Sequence, residues 1–320
     1  MQSSNSSATA RVGQEHFVAA LEDTPIAPID RLDESQKARS TWADAWDAMR
    51  RRPMFWISSV MIVVIVVVAA FPSLFATVSP TSCHLSDSND FAKPGHPFGF
   101  TRQGCDIYAR VIFGAQASVT VGVLATLIVT LFGGLVGALA GFYGGIFDSI
   151  VSRVGDIFFA IPTVLGAIVL MSVLPIRSAV TVALVLGVFA WPQIARIMRG
   201  SVLVARSSDY VMASVALGVS RFKILLRHVI PNAIAPVIVI ATVSLGIFIV
   251  AEATLSFLGL GLPTTVMSWG NDIGQARVNI RTSPQVLLIP SAALSLTVLA
   301  FLMLGDVVSD ALDPEARARR

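Results

Sequence analysis

Six stretches of the chain are almost free of charge and long enough to cross a membrane. An α-helix needs about 20 apolar residues to span the hydrocarbon core, at about 1.5 Å per residue. The predicted spans are residues 55–75, 111–147, 157–176, 178–195, 229–251 and 282–305. The pattern therefore predicts an all-α polytopic membrane protein with six transmembrane helices, whose N and C termini lie on the same side of the membrane.

The composition supports a membrane protein. Of the 320 residues, 54% are hydrophobic and 13% are charged, and the mean hydropathy is +0.74. Soluble domains carry about 25% charged residues, so an ordinary soluble protein is excluded. The isoelectric point of about 9.2 accompanies a net charge of only +3, and nucleic-acid binding is therefore not predicted.

Lys and Arg residues are distributed unequally between the two sides of the predicted spans. Thirteen lie close to the membrane on the side of the termini, and six lie on the other side. Cytoplasmic segments of membrane proteins are enriched in Lys and Arg. Both termini and the polar loop at 200–228 are therefore predicted to be cytoplasmic.

That polar loop, between the fourth and fifth spans, has an internal pattern of its own. Residues 209–236 read DYVMASVALGVSRFKILLRHVIPNAIAP. The pattern predicts a short helix at 210–217, a turn at Gly218, a second short helix that carries Arg221, and Pro231 near the start of the next span. A helix-turn-helix in a cytoplasmic loop indicates a docking site for a soluble partner. A helix lying on lipid headgroups is the alternative.

The loop resembles the cytoplasmic coupling loop, or EAA loop, of permease subunits from bacterial ABC importers, within the dipeptide/oligopeptide/nickel permease family. The family pattern opens with Glu-Ala-Ala, whereas this chain has Met-Ala-Ser followed by the same spacing from the glycine to the proline. The resemblance implies a type I importer fold and a loop that couples the permease to an ATPase. The residues that it places in coupling are Tyr210, Met212, Ala213, Ser214, Ala216, Leu217, Gly218, Arg221 and Pro231.

Three further segments are similar to the same family, so that the resemblance covers residues from about 40 to 320. Residues 96–122 resemble the pattern that enters the second span, and residues 305–320 resemble the family's terminal segment. Residues 251–277 resemble a Glu-x-x-Leu-Ser-Phe-Leu-Gly-Leu-Gly stretch followed by Ser-Trp-Gly. Asp106 and Arg110, one helical turn apart, are predicted to pair at a wet surface.

Glu252 is an acidic residue at the end of the apolar fifth span. A charge at the centre of a bilayer costs roughly 2.5 kcal/mol or more. We therefore expect Glu252 to face a wet cavity or a partner helix, or to lie near the outer interface. Glu252, Ser256 and Trp269 are candidates for a gate or a substrate pathway, and a structural role is the alternative.

The first outer loop contains both cysteines of the chain, Cys83 and Cys105. Because both lie on the oxidising side of the membrane in this topology, a disulfide is favoured over free thiols. A metal site that adds His84 and His96 is a weaker alternative, since the spacing matches no standard zinc pattern. No metal site is predicted.

The chain divides into a polar tail, a first span, an outer loop, a core and a short end. We predict a cytoplasmic N-terminal tail with an interfacial helix on the inner membrane surface, and packing of that helix on a partner ATPase is an alternative. The predicted ranges are 1–53 for the tail, with its helix at 31–52, 54–77 for the first transmembrane helix, 78–110 for the outer loop, 111–312 for a five-helix core that includes the coupling loop at 200–228, and 313–320 for the C-terminal tail.

The sequence contains no nucleotide-binding motif and no catalytic grouping, so it is not predicted to be an enzyme. The resemblance implies a bacterial cytoplasmic membrane permease that forms a path with a second permease subunit. Two ATPase subunits or domains, which bind ATP and Mg, and an extracytoplasmic substrate-binding protein are the other implied partners. No cofactor bound by this chain itself is expected.

The implied substrate is a di- or oligopeptide, carried by alternating access, and nickel or a metal chelate is the alternative. A secondary transporter or channel is the alternative of another class. Such proteins more often carry ionisable residues in the middle of their spans. Glu252 stands nearly alone in this respect, which disfavours ion coupling.

Overall fold

The computed structural model describes residues 41–312, in which helices are the main secondary structure. Short 3₁₀ segments lie at 72–74, 85–87 and 277–279, and a π-helical segment lies at Leu225–Val229. No strand occurs within the described range, where the outer loop carries isolated bridges only. The α-helices are α1 (Thr41–Arg50), α2 (Pro53–Ala70), α3 (Ile107–Tyr143), α4 (Gly145–Phe159), α5 (Thr163–Val173), α6 (Ala179–Arg206), α7 (Asp209–Ala216), α8 (Arg221–Ile224), α9 (Ile230–Ala233), α10 (Ala235–Phe257), α11 (Trp269–Ala276) and α12 (Gln285–Leu312).

Five helices between residues 41 and 312 are each long and apolar enough to cross a membrane, namely α2, α3, α6, α10 and α12. A sixth span exists only if α4 and α5 are counted as one, and these two helices are bent by 83° relative to each other. The predicted third span at 157–176 therefore has the wrong bounds, because the apolar segment consists of two helices that meet at a sharp bend. Pro162 precedes α5 directly, and a proline both lacks an N–H and disfavours helical backbone in the residue before it.

The boundary between the second and third spans also differs from the prediction. Helix α3 starts at Ile107 and ends at Tyr143, whereas the sequence pattern predicts 111–147. Gly144 and Gly145 follow with φ of +66° and +64°, a left-handed backbone that ends the helix and that glycine adopts without steric cost. The chain therefore turns at these two glycines and continues as α4.

Helix α6 is longer than the predicted fourth span of 178–195, because it continues to Arg206. Three arginines in this extension contact α3 and α4 of the same chain. Arg196 lies 3.0 Å from Asp156, Arg199 is paired with Asp148, and Arg206 donates to the carbonyls that end α3. The basic residues thus belong to the helix and not to a free loop.

The remaining span boundaries shift by smaller amounts. The first span ends at Ala70, earlier than the predicted 77, and is followed by the 3₁₀ turn at 72–74. The fifth span is α10, which runs from Ala235 to Phe257 instead of 229–251, and the sixth is α12, which runs from Gln285 to Leu312 instead of 282–305.

The most extensive helix contact joins α3 and α6, and it is built on glycines. A Cβ at Gly133 would lie 2.7 Å from the carbonyl oxygen of Trp191, and one at Gly141 would lie 2.8 Å from that of Arg199. A Cβ at Gly137 would overlap the backbone of Ala195. The two backbones therefore meet directly, as small residues allow in membrane helices.

Helices α10, α12 and α2 complete the bundle around this pair. Helix α10 packs on α3, α6 and α12, and α2 packs on α3 and α12. Most of α2 is exposed, as expected for a helix that faces lipid. At its N-terminal end, Arg52 lies 2.5 Å from Asp310 near the end of α12, so the two ends of the described bundle meet on one side.

The N-terminal segment is only partly described. The predicted helix at 31–52 corresponds to α1, and its residues before 41 lie outside the described range. The Trp46 ring contacts the Phe55 ring edge-on at 5.6 Å and remains half exposed. A position of α1 on the membrane surface stays a prediction.

The outer loop between α2 and α3 is closed by a disulfide between Cys83 and Cys105, which are 22 residues apart. Two carboxylates, Asp90 at 2.6 Å and Asp87 at 3.0 Å, surround the Lys93 ammonium and hold the pKa of Lys93 above its usual value.

The prediction that Asp106 pairs with Arg110 is wrong. The Asp106 carboxylate accepts from the backbone N–H groups of Tyr108 and Ala109 and caps the N-terminus of α3. A capping carboxylate satisfies helix donors that have no intrahelical partner, and Arg110 finds another carboxylate.

The glycine contact yields a test of stability. We expect Gly137→Ala to lower the free energy of unfolding by about 1 to 3 kcal/mol, the usual cost of overpacking a close contact. The matched control is Gly134→Ala in the same helix, where a Cβ meets no atom within 4 Å. Thermal unfolding of the purified full-length chain in lipid or detergent measures both. Equal melting temperatures for the two variants would contradict the proposed packing.

The disulfide yields a second test. Reduction is expected to remove about 3 kcal/mol of stabilisation of the outer loop, because the open loop regains chain entropy. The measurement is the rate of proteolysis of the loop with and without reductant. The Cys83→Ser/Cys105→Ser double variant is the control and should be cleaved at the fast rate in both conditions. If reduction leaves the cleavage rate of the native chain unchanged, the bond does not restrain the loop.

Candidate functional site

The coupling loop predicted from sequence folds into a short helix, a turn and a second short helix. Helix α7 covers Asp209–Ala216 and is anchored by Val211, which is buried in the main core. Gly218 follows with φ +75°, a left-handed conformation that ends the helix and favours glycine. The sequence thus located both the helix and its end to within one residue.

The second half of the loop differs from the predicted single helix. Helix α8 has only four residues and continues into the π-helical segment Leu225–Val229, so that Ile224, Leu225 and Val229 are buried in the main core. Pro231 lies in the first turn of α9, which follows the π-helical segment directly. The loop is therefore fixed to the bundle at both ends.

Apolar side chains dominate the exposed surface of the loop. Leu217 is 83% exposed, the highest value of any large apolar residue in the described range. Tyr210, Met212, Val215 and Phe222 are also exposed. We call these five side chains the coupling surface. An exposed apolar patch of this kind marks a site of interaction with a partner or a membrane.

A cavity of about 380 Å³ lies beside the coupling surface, between α7 and the C-terminal end of α3. Arg206 crosses this region from the end of α6, and its Nη1 donates to the carbonyls of Phe142 at 2.9 Å and Gly141 at 3.2 Å. The side chain thereby satisfies carbonyls that have no partner within α3. These hydrogen bonds therefore hold the end of α6 against the end of α3 beside the coupling surface.

The second predicted site, around Glu252, is buried within the chain. Glu252 is 0% exposed, and Ser256 Oγ donates to its Oε1 at 2.7 Å. The hydroxyls of Ser118 and Ser268 face the same carboxyl group. Because Glu252 lies in a closed cluster and not beside a wet cavity, its side chain has no open route to a substrate in this conformation.

Trp269 belongs to the same cluster and attaches α11 to α3. Its backbone N–H donates to Ser118 Oγ at 3.3 Å, and its indole Nε1 donates to the carbonyl of Val111 at 2.9 Å. Gly270 lies against α10, since a Cβ there would stand 2.6 Å from the Ala253 backbone. Glu252, Ser256 and Trp269 are thus brought together, in an arrangement that fastens α11 to α3 and α10.

A buried ion pair that the sequence pattern did not indicate completes this attachment. Arg110 of α3 donates through Nε and Nη2 to Asp272 Oδ1 of α11, with 3.0 Å from Nε, and both residues are about nine-tenths buried. The sequence pattern instead predicted that Arg110 pairs with Asp106, which lies four residues before it. The one local signal was Arg110, a charged residue directly before an apolar span, which needs a partner there; no such signal marked Asp272.

No group of three or more His, Cys, Asp or Glu side chains in the described part of the chain could hold a metal ion.

Two family models match the sequence. Residues 133–318 match the binding-protein-dependent transport system inner membrane component, and residues 40–94 match the N-terminal transmembrane domain of oligopeptide transport permease C. The chain belongs to this family of transport permeases. The prediction of an ABC importer permease of the peptide family is thereby confirmed.

Relatives match the permease over nearly its whole length. The oligopeptide transport system permease protein OppC of Bacillus subtilis is 34% identical over 283 residues, which cover 88% of this chain and 92% of OppC. The glutathione transport system permease protein GsiD of Escherichia coli O6:H1 is 35% identical over 300 residues, which cover 93% and 97%. The permease is thus a multi-pass inner membrane subunit and not an enzyme, and separate ATPase subunits hydrolyse ATP.

A solved structure shares the fold. The MetNI methionine ABC transporter, in an inward-facing conformation, matches the permease with a TM-score of 0.50 and 19% sequence identity, over 63% of this chain and 96% of the other. At this level of sequence identity, the likeness shows a shared fold and nothing about the substrate.

The buried cluster yields a prediction that separates a structural role of Glu252 from a gating role. Glu252→Ala is expected to destabilise the permease by about 2 to 4 kcal/mol, since it opens a cavity and removes the acceptor of Ser256. Glu252→Gln keeps the size and the acceptor oxygen and should melt close to the native chain. Thermal unfolding in lipid measures both variants. A large loss of transport by Glu252→Gln at unchanged melting temperature would instead assign a gating role.

Proposed function

We propose that this permease imports di- or oligopeptides across the cytoplasmic membrane, as one of two permease subunits in a complex with two ATPase subunits or domains. The observation that carries the substrate class is the similarity to OppC and GsiD over about nine-tenths of the chain. The match of residues 40–94 to the oligopeptide permease C domain adds to it, because this segment lies outside the general transport model.

We propose that the coupling surface and both termini face the cytoplasm. The excess of Lys and Arg on that side supports this orientation, and Arg52 and Asp310 bring the first and last spans together there. The disulfide then lies on the oxidising outer side, where such bonds persist. The external substrate-binding protein with which this family works would meet the outer loop.

The coupling surface is the proposed contact with an ATPase. Met212 adds to its apolar character, because it stands where the family pattern has Glu. A groove that receives Met212, Val215 and Leu217 is expected to be lined by apolar side chains, since a charge facing them would be desolvated without a partner. Closure of the ATPases on ATP would push this surface and switch the access of the path.

The path itself is proposed to form between this permease and a second permease subunit. Large apolar side chains of α4 and α5 remain exposed in the single chain, among them Ile157, Leu165 and Val169. Such side chains need lipid or a partner helix to cover them. We propose that ATP and Mg are bound by the partner ATPases and that the permease itself binds no cofactor.

Peptide-stimulated ATP hydrolysis by the complete transporter in lipid tests the coupling role. Leu217→Asp is expected to weaken ATPase attachment roughly 30-fold, the effect of losing about 2 kcal/mol at a central contact. Leu217→Met keeps an apolar side chain of similar size and is the matched control. The measurements are co-purification of the ATPase and the rate of hydrolysis. If both variants assemble and hydrolyse ATP as the native complex does, Leu217 does not lie in the interface.

The substrate class is tested in the same preparation by comparing dipeptides, longer peptides and nickel, each with the binding protein. Of these substrates, only the peptides are expected to stimulate hydrolysis. Stimulation by nickel without peptide would replace the peptide proposal.

A further inference from the structure

A cavity of about 320 Å³ opens on the outer face of the permease, between the end of the outer loop, α11 and the start of α12. Its volume lies at the lower end of the range of small-molecule sites, roughly 300 to 1,000 Å³. It is lined in part by Ile107, Val111, Val286 and Pro290 on its apolar side.

Positive charge dominates the polar side of this cavity. Three arginines and one carboxylate line it, namely Arg102, Arg110, Arg277 and Asp272. Arg102 and Arg277 are exposed at the rim, whereas Arg110 and Asp272 are buried at the floor. The lining therefore carries a formal charge of +2, and an anionic group would neutralise part of it.

The floor arginine is only partly used by its ion pair. Asp272 occupies Nε and Nη2 of Arg110, and no hydrogen bond to Nη1 occurs within the described residues. The guanidinium presents donors in a rigid plane that matches the two oxygens of a carboxylate. Gln103, Gln275 and Asn279 add amide groups to the wall, and amides can pair with the N–H and C=O groups of a peptide bond.

We propose that this cavity binds the C-terminal carboxylate of a small peptide on the outer face of the permease. Arg277 and Arg102 hold the carboxylate at the rim with Arg110 behind them, and the side-chain amides contact the adjoining peptide group. The inference rests on the proposed peptide function and extends it, because it places a peptide contact on the permease itself.

The test is equilibrium binding of alanyl-alanine and of its C-terminal amide to the complete transporter in lipid nanodiscs, without the binding protein. Native complex is expected to bind the free acid at least about tenfold more tightly than the amide, as the loss of a charged hydrogen bond predicts. Arg277→Gln and Arg102→Gln should reduce this preference while leaving the affinity for the amide unchanged. A merely structural role of either arginine would change both affinities alike.

The matched control is Arg281→Gln, four residues after Arg277 and outside the cavity lining, which should keep the full preference. Arg110 is not substituted, because its loss would leave Asp272 buried without its partner. Equal binding of the acid and the amide by the native complex, or no saturable binding of either, would overturn the inference.

Two further results distinguish this inference from a docking role of the cavity and from the proposed function as a whole. If Arg277→Gln weakens only the attachment of the binding protein and leaves the preference of the permease for the acid intact, the cavity is a docking site for an acidic side chain of that protein and the inference is wrong. Peptide uptake by the native complex with its binding protein is measured in parallel. Uptake without any acid preference in the cavity overturns this inference alone, and absence of uptake overturns the proposed function.

Discussion

The direct contact between the backbones of α3 and α6 is the constraint on which the rest of the structure depends. Lipid tails are as apolar as leucine, so helices in a bilayer gain little by hiding apolar side chains from them and associate through close packing. Glycines at 133, 137 and 141 permit that packing, since a Cβ at each would meet the facing helix. Arg206 then joins the C-terminal end of α6 to that of α3, Arg199 binds α4 beside it, and α10 packs along the side of the pair.

The sequence was sufficient for those features that depend on local composition. Charge-free runs located five of the spans, and Gly218 marked the end of α7. It was insufficient where the outcome depends on distant residues. By the criterion of charge the predicted fourth span ended before Arg196, although acidic residues of α4 pair with Arg196 and Arg199 and the helix continues. Proline was equally ambiguous, because Pro192 and Pro290 lie inside continuous helices while Pro162 stands at a sharp bend.

The buried cluster around Glu252 and the Arg110–Asp272 ion pair show the same limit of prediction from local sequence. The family resemblance drew Glu252, Ser256 and Trp269 together, and the structure places them in one buried cluster. Arg110 and Asp272 are separated by 162 residues, and no local pattern connects them. A buried ion pair is a weak source of net stability, because desolvation of both charges offsets most of their attraction. Its strict geometry nevertheless fixes how α11 is oriented on α3, and that orientation shapes the cavity beside it.

Helix α3 connects the two ends of the permease physically. Its 37 residues make it about 55 Å long, at about 1.5 Å per residue, which exceeds the roughly 30 Å of hydrocarbon. One end accepts Arg206 beside the coupling surface, and the other holds Trp269 and Asp272 of the outer helix. In the proposed mechanism, a push on α7 reaches α3 through the contacts of Arg206. Because α11 is fastened to the opposite end of the same helix, α3 provides a direct packed connection between the coupling surface and the outer cavity, which is the kind of element that a two-state transition can use.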